Sequence, residues 1–252
     1  MLQKRLPQTG SRFFCWVIYK REDWPFATDI GLSPDKIFLP RNINAMKKLD
    51  LTQLHRSYYS AKTQPELTEV DAASFLSILG QGDPSSATYA EKVKALYTVA
   101  YSVKQICKLA HQDFVVPKLE GLWWYDEDQY KYVSMDEAPT AVPRDAWHWK
   151  LLIRMPETVS KEVVNDAIAA AVNKKKLATA TEVQLFSLSE GKVVQMLHVG
   201  PFSEELITLK QMKEFIDSRG LKKAGLHHEI YLSDFNRTPP ERLKTILREP
   251  VH

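Results

Sequence analysis

Glu229 and Tyr231 stand two residues apart in the run Gly225-Leu226-His227-His228-Glu229-Ile230-Tyr231-Leu232-Ser233-Asp234. The alternation predicts a short strand, with His227, Glu229 and Tyr231 on one face and His228, Ile230 and Leu232 on the other. A carboxylate among apolar neighbours is expensive to desolvate, so it needs a partner, a raised pKa or a task. In an aromatic pocket Glu229 would rise above its solution value of ~4.3. It could then act as general base on water or as counter-charge to a cationic ligand. Tyr231 beside it could donate a hydrogen bond to a substrate carbonyl. The alternative for Glu229 is a structural carboxylate paired with a buried Arg or His.

A second carboxylate lies in Lys118-Leu119-Glu120-Gly121-Leu122-Trp123-Trp124. On a strand, Glu120, Leu122 and Trp124 share a face, and Trp123 turns to the other, toward packed helices. Gly121 lets a neighbouring backbone or a ligand approach closely. Trp147 and Trp149 alternate onto one face of a further strand. Aromatic faces of this kind stack on flat ligands and attract cations. Tyr97, Phe202 and His198 complete the candidate ligand contacts, alongside Glu120, Leu122, Trp123, Trp124 and Trp149. For Tyr97 and His198 the competing reading is ordinary core packing. His227 and His228 are adjacent on a strand and point opposite ways, so they do not form a metal pair. The chain carries no Ser-His-Asp spacing, phosphate loop or metal-ligand cluster, and no cofactor is expected.

The elements that hold these residues follow from periodicity. Residues 74–84 read as a strand ended by Gly and Pro. Thr88 and Glu91 have the capping-box spacing, and the helix after them buries Val93, Leu96, Tyr97, Ala100, Val103 and Cys107, ending near Leu109. The Glu120 strand and then a strand over 147–155 come next. Ser160 caps a second helix that ends at Lys174-Lys175-Lys176, cations suited to the helix dipole. Residues 183–191 and 192–200 read as a hairpin turning at Glu190-Gly191. Ser203 is the expected cap of a helix that stops at Gly220. The Glu229 strand and a closing strand over 243–248 finish the chain.

Set side by side, the halves repeat. Residues 75–82 form a strand running into a Gly/Pro turn, then a helix, the Glu120 strand and the Trp149 strand. Residues 193–200 do the same, followed by a helix, the Glu229 strand and the closing strand. The expected fold is α+β: duplicated β-α-β-β units, about 66–156 and 181–252, forming one antiparallel sheet with helices on one side and a ligand cleft between the halves. Glu120 and Glu229 fall at matching places and are expected to face that cleft. Residues 1–45, rich in Pro and Gly, read as an appended extension to a domain over 46–252.

Composition bounds the function. Of 252 residues, 44% are hydrophobic and 26% charged, the make-up of an ordinary globular chain. The net charge of +3, from 34 basic and 31 acidic residues, is too balanced to point to direct nucleic-acid binding. The 2 cysteines, Cys15 and Cys107, are far apart and read as reduced, cytoplasmic thiols. The apolar run at residues 13–19 is far short of the roughly 20 residues needed to span a bilayer. No membrane partner is expected. The oligomeric state stays open, a homodimer included.

From residue 46 onward the chain resembles the stand-alone GyrI-like small-molecule-binding proteins. The resemblance is carried by Glu120-Gly121-Leu122-Trp123-Trp124, by His198-Val199-Gly200-Pro201-Phe202, and by His227 to Asp234 with Lys244-Thr245-Ile246-Leu247-Arg248. It implies a fold like the effector domains of multidrug-sensing transcription activators. It also implies a lipophilic, aromatic or cationic ligand held by a buried glutamate. Some stand-alone members are implicated in hydrolysing cyclopropane-bearing DNA-alkylating compounds, a detoxifying activity that would place Glu229 as base and Tyr231 as hydrogen-bond donor. A non-catalytic sequestering module, or an effector-like domain that touches a regulator or gyrase, is the alternative.

Overall fold

Two long stretches, Glu66 to Gln81 and Gln184 to Val199, run side by side and tie the molecule together. The computed structural model describes residues 48–134 and 136–252. The extension expected over residues 1–45, with Cys15, lies outside the described residues. The strands are β1 (Leu49–Asp50), β2 (Glu66–Val70), β3 (Ala73–Gln81), β4 (Phe114–Val115), β5 (Leu119–Trp124), β6 (His148–Arg154), β7 (Gln184–Leu188), β8 (Gly191–Val199), β9 (His227–Tyr231) and β10 (Lys244–Pro250). The helices are α1 (Leu51–Leu54), α2 (Ala87–Leu109), α3 (Ala138–Ala141), α4 (Lys161–Lys175) and α5 (Glu205–Ser218).

Eight strands form one curled antiparallel sheet in the order β2-β8-β10-β9-β5-β6-β3-β7, and β1 pairs with β4 apart from it. The order is symmetric about the β9–β5 junction. Each repeat runs first strand, helix, second strand, third strand, and each lays its third strand between the other two. The α+β class and the duplicated sheet are therefore as expected.

All three long helices lie on one face. Leu76, Ile78, Leu151 and Ile153 of the sheet pack against Leu96, Val99 and Val103 of α2 and Val164, Ala167 and Ala171 of α4. Val194, Met196 and Leu247 pack against Leu209 and Met212 of α5. The opposite face buries Phe75, Leu122, Leu152, Val193, Ile230 and Ile246 beneath Tyr58 and Tyr59, which follow α1. Alternation explains the division: side chains two apart on a strand share a face.

Two expected helix starts move. The cap of α2 is Ser86, whose Oγ accepts the Tyr89 N–H at 3.2 Å, and Thr88 lies inside the helix. Ser203 sits in a 3₁₀ turn over Phe202–Glu204, so α5 begins at Glu205. Ser160 does cap α4, and Lys176 ends it in the left-handed region at φ 54°.

The larger correction concerns the hairpin. β7 and β8 follow one another through two residues but do not pair. β7 pairs with β3, from Ala73↔Leu188 to Ser77↔Gln184, and β8 pairs with β2, from Glu66↔Gln195 to Val70↔Gly191. Both pairings keep one register, so β2–β3 and β8–β7 form a single long ribbon broken at its middle. Gly191, at φ +65°, marks that break. A Glu-Gly pair between two alternating runs has the chemistry of a tight turn, but here it serves a kink. Each repeat thus lends its leading strand to the other.

Candidate functional site

Over the β9–β5 junction, between α5 and the connection from β5 to β6, lies a cavity of about 250 Å³. Its walls are aromatic and its floor is acidic. Trp123, Trp124 and Tyr125 come from the end of β5, Trp147 from the approach to β6, and Tyr130 and Pro139 from the connection between them. Glu229 and His227 rise from β9, Glu249 from β10 and Glu205 from the first turn of α5. The rings brace one another. Trp147 and Tyr125 meet edge to face with centroids 5.2 Å apart, and Trp123 stacks on Tyr89 at 6.3 Å.

His227 organises the acids. Its Nδ1 lies 2.5 Å from Glu249 Oε1, and its Nε2 lies 3.5 Å from Glu229 Oε1. Carboxylates only accept, so both ring nitrogens are best served carrying hydrogen. Burial alone would lower the His227 pKa, but the Glu249 and Glu229 carboxylates override it and lift it to about 10. Glu205 is 4% exposed. Burial, and then the Glu229 charge, push its carboxyl well above the usual range, against a smaller opposing pull from His227. Both influences favour its protonated form. Two oxygens, Glu205 Oε1 and Glu249 Oε2, are buried without a hydrogen-bond partner among the described residues. At the rim, Lys223 donates to Glu127 at 2.8 Å.

Three of the residues singled out in the sequence, Glu229, Trp123 and Trp124, line this cavity. Trp124 also stacks on His148 at 5.6 Å. Tyr231 stands one layer behind: its hydroxyl accepts the Trp123 indole N–H at 3.1 Å, and Phe202 meets its ring edge at 6.0 Å. Trp149 and Tyr97 belong to the core under α2. Trp149 is fully buried, donates to the Gly82 carbonyl at 3.1 Å and covers Gly80. Tyr97 is half-buried and stacks on Tyr101. His198 is buried beside a second, shallower hollow with Glu204 and Ile207. Its Nε2 donates to the Pro201 carbonyl at 3.1 Å, and Nδ1 faces the Thr208 hydroxyl at 2.9 Å.

Glu120 and Leu122 do not share the cleft with Glu229. The register pairs Gly121 with Glu229 and Glu120 with Ile230, so the two glutamates point to opposite faces. The sequence comparison was off by one residue, and a shift of one inverts a strand's faces. Glu120 instead joins a buried network. Tyr58 and Tyr59 donate to it at 2.5 and 3.2 Å, and His228 Nε2 lies 3.1 Å away. His228 Nδ1 reaches Glu190 at 2.9 Å, and Glu190 also accepts from Arg248 at 3.1 Å. Arg154, also buried, lies over the Tyr58 ring at 4.7 Å. Leu122 packs under Tyr58 and Tyr59.

Sequence reasoning missed Glu249 and Glu205 as site residues. The closing strand expected from the sequence stops at Arg248, and nothing in the pattern around Glu205 marks it as a site residue. A cross-strand check would have found Glu249. Arg248 pairs with His228, which sets Glu249 beside His227 on the Glu229 face.

A duplicated sheet with its helices on one face and an acidic, ring-walled groove at the pseudo-dyad defines a small-molecule-binding α+β protein. The chain belongs to the GyrI-like family: the GyrI-like small molecule binding domain matches residues 149–252. It is similar to a hydrolase from Listeria innocua, at 38% identity over 81% of this chain and 100% of that one, with a TM-score of 0.70. It is equally similar, at 38% identity over the same shares, to an uncharacterized conserved protein from Listeria innocua, with a TM-score of 0.72. No curated protein matches the chain.

Proposed function

We propose that the cavity binds a lipophilic aromatic or cationic small molecule and hydrolyses reactive cyclopropane-bearing DNA-alkylating compounds, a detoxifying role. The observation that carries this is Glu229, a buried carboxylate set among the indoles of Trp123, Trp124 and Trp147. Flat rings stack on such walls and a positive charge is drawn to both the rings and the acid. The name of the Listeria hydrolase supports a hydrolytic reading.

In the proposed step, Glu229 takes a proton from water as the water oxygen bonds to a ring carbon. The strained carbon–carbon bond breaks, its electron pair runs through the conjugated dienone, and the carbonyl oxygen takes a proton. Glu205, whose burial favours the protonated form, supplies that proton in the same cavity. Tyr231 acts through Trp123, whose indole it fixes. Exclusion of water by the aromatic walls strengthens both acid–base roles.

The test is incubation with a cyclopropane-bearing alkylator, followed by mass spectrometry for the gain of one water. Glu229→Gln should stop product formation while leaving the circular-dichroism spectrum intact. Turnover unchanged by the substitution rejects Glu229 as base. The gathering of Glu205, Glu229 and Glu249 in one cavity favours a second reading, a counter-charge that sequesters a cation without chemistry. Tight binding of the alkylator with no product selects it.

A further inference from the structure

Two carboxyl oxygens in the cavity have nothing to accept. Glu205 Oε1 and Glu249 Oε2 are buried and lack a hydrogen-bond partner among the described residues, and both side chains line the cavity. The residues are 4% and 1% exposed. A buried acceptor without a donor is costly, and folded proteins keep very few. His227 does not serve them, because its ring nitrogens go to Glu249 Oε1 and Glu229 Oε1. The other cation at the cavity, Lys223, donates to Glu127 at 2.8 Å.

We propose that the ligand carries N–H donors: an aromatic skeleton ending in a single primary ammonium or amidinium group, whose N–H bonds go to Glu205 Oε1 and Glu249 Oε2. This rests on the cavity being the ligand site and adds what selects among ligands. A quaternary cation of the same skeleton satisfies the charge and the aromatic walls but leaves both oxygens bare. A site built to accept hydrogen bonds discriminates strongly against an analogue that cannot donate them.

The test is calorimetric titration of the full chain with biphenyl-4-ylmethanamine as its ammonium salt and with the N,N,N-trimethyl form of the same skeleton. The ammonium should bind roughly tenfold tighter or better. Glu205→Met and Glu249→Gln, tested separately, should each cut that ratio several-fold; a ratio that survives both substitutions overturns the inference, since bulk alone would then explain it. Equal binding of the two cations overturns it as well and leaves the cavity as the ligand site, with water serving the two oxygens. Binding of neither cation overturns the cavity reading itself, and this inference with it.

Discussion

Two histidines adjacent in sequence lead separate lives. His227 looks into the acidic cavity, and His228 into the buried network on the opposite face. In both, burial alone would lower the pKa and the carboxylates at either ring nitrogen raise it instead. For His227 the folded pKa of about 10 lies above the ordinary 6.5. Its stabilisation is therefore complete below pH 6.5 and is lost as pH rises through 10. Thermal melting should fall across that window, and His227→Gln should give a less stable protein with a flatter profile there. An unchanged slope in the variant rejects the shift. Glu190 behaves in the opposite sense. Burial works against its charge, but His228 and Arg248 hold its pKa down to about 2 against the ordinary 4.5. Its contribution is full above pH 4.5 and fades as pH drops through 2. Glu190→Gln leaves Arg248 buried with its charge unmatched, and should cost about 3–5 kcal/mol in chemical denaturation. A loss below ~1 kcal/mol contradicts that network. The sequence made Glu229 legible because a carboxylate interrupts an apolar alternation. It could not show Glu190, which sits in a Glu-Gly pair that looks like a solvent turn.

Strands rather than helices decide what each acid does. Their existence was readable from alternation, and the buried stripes of α2 and α4 from helical spacing. The registers were not readable. Glu120 and Glu229 lie on neighbouring strands, and only the pairing of Gly121 with Glu229 shows that they are one place out of step. Gly121 has its own role. A Cβ there would lie 2.8 Å from Trp123 Nε1 and 3.1 Å from the Tyr231 hydroxyl. Gly121→Ala must therefore push the Trp123 indole off Tyr231 and out of the cavity wall. Overpacking of this kind costs about 1–3 kcal/mol. We expect that loss in denaturation, together with a shifted tryptophan emission and weaker ligand binding. Wild-type emission and affinity in the variant would mean that Trp123 is not the wall it forms here.

At the level of the whole molecule, the symmetric strand order explains why a duplicated pattern was visible at all: each repeat spends its residues in the same sequence of strand, helix, strand, strand. The crossing of β2 and β7 was hidden, because no local rule tells a two-residue turn from a two-residue kink; the partners are more than a hundred residues away. The crossing has a measurable result. A fragment of residues 149–252, the span that the family domain matches, keeps β8 and β9 but lacks β2 and β5, their partners. Both would become bare edges, which template association. Such a fragment should elute as aggregate in gel filtration and lack dispersed amide resonances. A folded monomer would show that the ribbon is dispensable.

The interlaced ribbon also limits how the two repeats can diverge. Neither owns its outermost strand, so a change in the leading segment of one is felt on the rim of its sister. Sequence drift in one half must be answered in the other, and the ligand groove at their shared axis inherits that bond.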